Sequence, residues 1–289
     1  MRTQSRSLVN IIEAVSASDG IGVKLHRIGG GRLHKLLDPF LMLDEINSDD
    51  AADYIGGFPE HPHRGFETIT YMKTGRMRHR DHMGNEGVIG AGDLQWMTAG
   101  KGVLHSEMPE QDQGKLQGFQ IWLNLPASEK MQPPAYREII NSTIPEVTLN
   151  NGGCVRIIAG EVTTQLSTEA RAKTVTGVLP KRPTEPVMVD VNLTSNESVS
   201  LAFASENPVL VYVYGGYLHD IGYRQMGVFS KGDNLMLEAG KTGAKLLILS
   251  GKQLNEPVVQ YGPFVMNSQA EIQQAIQAFR TNSWQRGGG

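Results

Sequence analysis

Short apolar stretches separated by glycine-rich turns dominate the pattern of hydrophobic and polar positions along the chain. Between residues 66 and 125 a glycine recurs roughly every eight to twelve residues, and apolar stretches such as 94–97 and 119–123 lie between these turns. In the second half, apolar side chains occupy every second position of residues 187–193. A period of two predicts β-strands, and many short strands joined by turns predict an all-β barrel or sandwich.

One helix is predicted, near the end of the sequence. Ser268 is placed to cap it, and Glu271, three residues later, completes a capping box. Apolar residues then recur at helical spacing, at Ile272, Ala275, Ile276 and Phe279. The expected fold is therefore all-β with a single C-terminal α-helix.

A sequence motif repeats at an offset of 140 residues. Gly92-Asp93, with Ala99-Gly100-Lys101 after a gap of five residues, recurs as Gly232-Asp233 and Ala239-Gly240-Lys241. A repeat of this length predicts two copies of one barrel. Residues 128–134 end in two prolines, which favour a linker over a helix or a central strand. We expect an N-terminal barrel over residues 1–135 and a C-terminal barrel over residues 136–289, ending in the helix.

Charge and composition exclude several classes of protein. The net charge of −3 provides no basic surface for nucleic acid or an anionic membrane. Cys154 is the single cysteine, which rules out an internal disulfide and fits a reducing compartment. No run of eighteen apolar residues exists, and the first residues are too interrupted for a signal peptide. We expect a cytoplasmic protein that binds neither nucleic acid nor membrane directly.

Two pairs of residues have the spacing of metal ligands on strands. His61 and His63 flank a proline, and His105 and Glu107 follow about forty residues later. Side chains two residues apart on an extended strand point to the same face. Two such strands could bring three imidazoles and a carboxylate onto one interior face. This set leaves open positions on an octahedral metal ion, whereas a structural zinc site is usually closed and rich in cysteine.

The plainer interpretation is that His61 and His63 are surface residues and that His105 is a hydrogen-bonded core residue. The repeat argues against it. At the offset of 140, the four positions carry Leu201, Phe203, Lys245 and Leu247. A duplicated scaffold that has lost all four ligands is typical of a protein with one site. The predicted metal ligands are therefore His61, His63, His105 and Glu107.

Glu67 is a second candidate carboxylate. It lies four residues after His63, so on a continuous strand it would share the parity of both histidines. We rank it behind Glu107, as a residue that hydrogen-bonds a ligand. His79 and His82 fall in the charged stretch 76–82, and we interpret them as part of a solvated turn.

Several longer motifs resemble the pirin family of the cupin superfamily. The resemblance rests on residues 61–68, 92–102 and 105–109, and extends to 121–125, 128–131 and 261–267. The general cupin pattern would make Glu67 the carboxylate ligand. Pirins instead use the carboxylate two residues after the third histidine, which maps onto Glu107. The resemblance implies two tandem cupin (jelly-roll-like) β-barrels with one mononuclear metal site, in the N-terminal barrel.

The same resemblance implies a cofactor and two kinds of function. The metal in pirins is usually iron, so Fe(II) is expected, and Zn, Mn, Ni, Co or Cu also suit the ligand set. Some pirins resemble quercetin (flavonol) 2,3-dioxygenases, whose substrates are a small aromatic flavonol and dioxygen. In that reaction Glu107 or Glu67 would accept the proton of the 3-hydroxyl group. Other pirins are non-enzymatic regulators that bind a metabolic enzyme or a transcription factor, and a cupin isomerase or hydrolase is a weaker third alternative.

Overall fold

The computed structural model describes residues 4–165, 172–204 and 206–281. The first strands are β1 Leu8–Glu13, β2 Val15–Asp19, β3 Val23–Gly29, β4 Phe40–Ser48, β5 Phe58–His63, β6 Phe66–Thr74, β7 Met77–Asp81, β8 Glu86–Ile89, β9 Leu94–Thr98, β10 Val103–Pro109, β11 Leu116–Asn124 and β12 Ala135–Ile139. The remaining strands are β13 Glu146–Thr148, β14 Cys154–Ala159, β15 Glu161–Gln165, β16 Lys173–Thr176, β17 Val187–Leu193, β18 Ser198–Ala202, β19 Val209–Leu218, β20 Gln225–Phe229, β21 Asn234–Ser250, β22 Val259–Tyr261 and β23 Phe264–Met266. The α-helices are α1 His34–Leu37 and α2 Gln269–Arg280. The predicted fold, all-β with a C-terminal helix, is confirmed.

The chain forms two compact units, and each contains one terminal segment that is remote in sequence from the rest of that unit. Val15–Asn141 and Leu254–Gly289 form one unit, here called the N-terminal barrel, while Met1–Ala14 and Ser142–Gln253 form the C-terminal barrel. This division differs from the expected halves 1–135 and 136–289 at both ends of the chain. The cause is strand pairing and packing, because β1 pairs with β20 and α2 packs on β22 and β23.

Two antiparallel sheets build the N-terminal barrel. The larger has the strand order β12-β9-β6-β11-β4-β3-β2, and the smaller has the order β5-β10-β7-β8. Alternating side chains of both sheets point inward, and an apolar cluster that includes Leu25, Ile46 and Met72 fills part of the interior. No described helix combines the length and hydrophobicity needed to cross a bilayer.

A sharp break separates β5 from β6, which belong to different sheets. Gly65 lies at this break with φ of +89°, and a Cβ atom there would come 2.0 Å from the carbonyl oxygen of Val265. Both the backbone conformation and the close approach therefore require glycine. Because the chain turns at Gly65, the alternation of side chains in β5 does not continue into β6.

The C-terminal barrel keeps the strand scaffold but has an apolar interior. In the N-terminal barrel His105 lies opposite His61, and in the C-terminal barrel Leu235 lies opposite Leu201. Strand pairing therefore equates His105 with Leu235 and Glu107 with Leu237. Lys245 and Leu247, the equivalents expected for His105 and Glu107, are therefore wrong. The offset of 140 holds for the two histidines of β5 but not for the two ligands on β10. The inference of a barrel with apolar residues at the ligand positions still stands, since Leu201, Phe203, Leu235 and Leu237 are all buried.

The C-terminal helix begins where its capping box predicts. Ser268 Oγ accepts a hydrogen bond from the backbone N–H of Glu271 at 3.3 Å, and the Glu271 carboxylate accepts one from the N–H of Asn267 at 3.1 Å. Ile272 and Ala275 on its inner face are fully buried in a cluster with Phe264 and Met266. The helix therefore holds the hairpin β22–β23 in place.

Candidate metal centre

Strands β5 and β10 bring three imidazoles together. His61 lies opposite His105 in the register of the two strands, and His63 lies two residues further along β5. The ring centroids are 4.4 Å apart for His61 and His105, 4.7 Å for His61 and His63, and 4.9 Å for His63 and His105. His61 Nε2 is 3.0 Å from His63 Nε2. The structure thus brings together the three histidines that the spacing predicts.

Glu107 lies two residues after His105 and is held by three side chains of the larger sheet. Thr70 Oγ1 donates to its Oε1 at 2.6 Å, and Gln120 Nε2 donates to its Oε2 at 2.7 Å. Gln95 Nε2 also donates to Oε1. These bonds satisfy the oxygen atoms of a buried carboxyl group and fix its orientation.

His79 is a functional candidate that the sequence interpretation placed wrongly. The charged stretch 76–82 predicts a solvated turn, yet His79 is fully buried, lies opposite Glu107 in the register of β7 and β10, and stacks on Tyr136 at 4.2 Å. Two groups of described residues have ligand atoms close enough to share a metal ion: His61 with His63 and His105, and His79 with His105 and Glu107. His105 belongs to both groups. Strand alternation could have predicted that His79 points inward, because it follows the buried Met77 by two residues on β7.

Glu67 lies on the opposite face of β6 from the metal candidates. Thr70 faces Glu107, so strand alternation directs residue 67 the other way. Glu67 is fully buried and accepts a hydrogen bond from Thr98 Oγ1 at 2.6 Å. Glu67 would share the parity of His63 only on a continuous strand, and the turn at Gly65 interrupts that strand.

Burial favours the neutral form of two imidazoles of the site, those of His63 and His105. The pKa values of His63 and His105 lie well below the ordinary value, first because both rings are buried and second because other imidazoles lie close to them. Neutral imidazole is the form that binds metal. Neither ring nitrogen of His105 has a hydrogen-bond partner among the described residues, although the ring is buried. Buried, unpaired nitrogen atoms beside two further imidazoles and a carboxylate fit a metal cation.

A cavity of about 420 Å³ opens beside the imidazoles, within the N-terminal barrel. His61, His63 and Glu107 line it, as does the indole of Trp122, which lies 5.2 Å from the His63 ring. Its walls are otherwise largely apolar, and Pro263 of the C-terminal segment forms part of them. Its volume lies in the range of pockets that bind small organic molecules.

A buried lysine fixes the turn that follows His63. Lys130 Nζ donates to the carbonyl oxygens of Gly65 at 2.7 Å and Val265 at 3.2 Å, and to Asn124 Oδ1 at 2.6 Å. Burial lowers the pKa of Lys130 to about 8, against the opposing effect of two glutamates, Glu256 and Glu271. The two prolines that end residues 128–134 predict only a linker at this position.

Comparison with known proteins identifies relatives over nearly the whole chain. The sequence model of the Pirin family matches residues 22–123, and that of the Pirin C-terminal cupin domain matches residues 188–285. A protein of Pseudomonas aeruginosa named as a putative quercetin 2,3-dioxygenase is 43% identical over 284 residues, which are 96% of this chain and 98% of that protein. Pirin of Rattus norvegicus is 37% identical over 273 residues, 91% and 88% of the two chains. The crystal structure of a quercetin 2,3-dioxygenase from Acinetobacter baumannii matches with a TM-score of 0.85 at 31% identity, covering 96% of this chain and 98% of that one.

Proposed function

The chain belongs to the pirin family, and from that premise we propose that this bicupin is a metal-dependent flavonol 2,3-dioxygenase. The observation that carries the proposal is the position of His61, His63 and Glu107 on the wall of one largely apolar cavity, with His105 adjoining them. Such a cavity can admit an aromatic ligand and present one of its oxygen atoms to a metal ion. The relatives in Pseudomonas aeruginosa and Acinetobacter baumannii are named for quercetin, which supports a flavonol as the substrate.

We propose that His61, His63, His105 and Glu107 hold the metal ion, with Fe(II) as the first candidate. When bound, the ion would supply a Lewis acid for a substrate oxygen and the redox chemistry that a reaction with dioxygen requires. Glu107 is the carboxylate available to complete the set, because it follows His105 on β10 and lines the same cavity. His79 would then not bind the ion but would pack against His105, whose ring lies 5.4 Å from its own, beside Glu107.

Glu107 is also the proposed base. A flavonol loses the proton of its 3-hydroxyl group before its ring opens, and a general base must lie within hydrogen-bond reach of that proton. Glu107 lines the cavity and Glu67 does not, which supports Glu107 over Glu67 as the base for this transfer. Thr70 and Gln120 hold its two oxygen atoms in fixed positions.

The apolar wall has two further tasks, namely to align the substrate rings and to exclude water. Trp122 lines the cavity, and its ring lies 5.2 Å from that of His63 and packs on Phe66 at 4.3 Å. Aromatic side chains prefer offset or edge contacts with other rings. A planar flavonol lying against Trp122 would therefore keep its oxygen atoms toward the histidines.

The test is an anaerobic titration followed by admission of oxygen. Protein loaded with Fe(II) is titrated with quercetin, and we expect a shift of the flavonol absorbance that saturates at one flavonol per metal ion. Admitting oxygen should then consume one dioxygen per flavonol and release carbon monoxide.

Glu110→Gln is a matched control for Glu107→Gln, because Glu110 follows the same strand but pairs with Arg78 outside the cavity. The control should behave as the unchanged protein, whereas Glu107→Gln should lose turnover. Metal-loaded protein that neither shifts the absorbance nor consumes oxygen would contradict the proposal and leave the regulatory alternative.

A further inference from the structure

A row of polar side chains crosses the larger sheet at the level of the metal candidates. The row follows direct strand pairs: Arg27 is opposite Asp44, Asp44 is opposite Gln120, Gln120 is opposite Thr70, and Thr70 is opposite Gln95. Three of its members, on β11, β6 and β9, hold Glu107. The other two, Arg27 and Asp44, are not explained by the metal site.

Arg27 is held in one orientation by two carboxylates. Its Nε and Nη2 donate to the two oxygen atoms of Asp44 at 2.8 Å and 2.7 Å, and Nη2 also donates to Asp19 at 2.8 Å. No hydrogen bond from Nη1 to another described residue accompanies these contacts, although the guanidinium lines the cavity. A rigid fork with one free nitrogen is suited to donate to a ligand oxygen.

The charges of this group favour a neutral polar ligand. Asp44 is buried, and burial raises its pKa even though Arg27 acts in the opposite direction. Burial acts against the charged form of Asp19 as well, but hydrogen bonds from Arg27 and Gly20 hold the pKa of that carboxyl below its ordinary value. Two carboxylates and one guanidinium repel an anion. A hydroxyl group suits them, because it can donate to a carboxylate and accept from Arg27 at the same time.

The group lines the same cavity as His61 and His63, on strands of the larger sheet. Asp44 is two residues from Met42 on β4, and Met42 is opposite Trp122, whose ring contacts His63. Asp19 is close enough to His61 for the two to interact electrostatically. A planar ligand that begins at the histidines and lies along Trp122 and Met42 can therefore reach Asp44 and its partner Arg27 on the same cavity wall.

We propose that Arg27 and Asp44 form a hydroxyl-recognition site that selects flavonols whose ring remote from the metal carries hydroxyl groups. The inference rests on the proposed function, because it assumes a flavonol bound at the histidines. It goes beyond that function in naming the residues that discriminate among flavonols.

The experiment compares flavonols that differ only in the remote ring. Quercetin carries two hydroxyl groups there and galangin carries none. Dissociation constants are measured by absorbance titration of the metal-loaded protein without oxygen, for the unchanged protein and for the double variant Arg27→Met/Asp44→Asn. The double variant avoids leaving Asp44 charged and unpaired. Lys24→Met is the control, since Lys24 lies on the same strand but pairs with Asp53 outside the cavity.

The unchanged protein should bind quercetin at least about tenfold more tightly than galangin, a ratio that corresponds to about 1.4 kcal/mol. In the double variant the ratio should fall below about threefold, with the metal content unchanged, and Lys24→Met should keep the original ratio. Equal binding of both flavonols by the unchanged protein overturns the inference, whether or not they are turned over. A preference that the double variant loses, without any oxygen consumption, upholds the recognition site and overturns the dioxygenase. Absence of binding by either flavonol overturns both.

Discussion

Lys130 Nζ donates a hydrogen bond to the carbonyl oxygen of Gly65 at 2.7 Å, two residues beyond His63 in the chain. The same ammonium reaches Asn124 at the end of β11 and Val265 on β23. One buried cation therefore connects the turn behind a candidate metal ligand to two other elements of the N-terminal barrel. An ammonium offers three donors, which these three acceptors use.

Replacing Lys130 with Met should lower the free energy of unfolding by about 3 kcal/mol, because three buried acceptors lose their donor. Urea denaturation of the metal-free protein measures this change. Lys101→Met gives a comparison in the loop between β9 and β10, where the lysine is less buried. Equal stability of Lys130→Met and the unchanged protein would show that the three bonds do not stabilise the fold.

The contribution of Lys130 should also depend on pH. Burial lowers its pKa to about 8 in the folded protein, below its ordinary value of 10.5. Between these values the unfolded chain binds more protons than the folded one, so this group adds stability as the pH rises. The stability difference between the unchanged protein and Lys130→Met should therefore be larger at about pH 9.5 than at about pH 7.5. A constant difference would contradict the lowered pKa.

His105→Ala should lose most of the bound metal, and so should Glu107→Ala, because each removes one of the proposed ligands. His79→Ala distinguishes between the two possible groups of ligands that share His105. If the ion is held by His61, His63, His105 and Glu107, the His79 variant should retain it. His219→Ala, an exposed histidine of the C-terminal barrel, is the control. Metal analysis of the purified variants decides the matter, and full metal content in both His105→Ala and Glu107→Ala would exclude the assignment.

The local patterns of the sequence predict the fold well, because they depend on neighbours in the chain. The period of two in residues 187–193 predicts β17, and Ser268 with Glu271 predicts the start of α2. The pair spacing of His61 with His63 likewise predicts a shared face, since both lie on β5. What each strand pairs with depends on distant residues, and the pattern contains no such information.

Three errors follow from that limit. The exchange of terminal segments between the two barrels depends on the pairing of β1 with β20 and on the packing of α2. The parity of Glu67 fails because Gly65 turns the chain. The repeat offset fails because Gly92 precedes β9, which pairs with β6, whereas Gly232 precedes the part of β21 that pairs with β18. Similar turns at the two positions therefore lead into strands with different partners.

Gln120 should influence metal affinity without binding the metal. Its Nε2 holds one oxygen of Glu107, and residues that orient a ligand typically change metal affinity by about 10- to 100-fold when replaced. Gln120→Leu should therefore release metal to a competing chelator more readily than the unchanged protein. Gln117→Leu is the control, because Gln117 lies on the same strand and faces the other side. The same affinity in both variants would mean that Glu107 is not a ligand or is oriented without Gln120.

The ion pair between Arg27 and Asp44 should also contribute to the free energy of unfolding. Arg27→Met leaves Asp44 buried and without its partner, which should lower the free energy of unfolding by about 3 kcal/mol. Adding Asp44→Asn removes the uncompensated charge, so the double variant should recover at least about half of this loss. Urea denaturation of the single and double variants gives the coupling energy between the two side chains. Losses that simply add would contradict a buried ion pair, and would indicate that Asp44 is neutral in the folded protein.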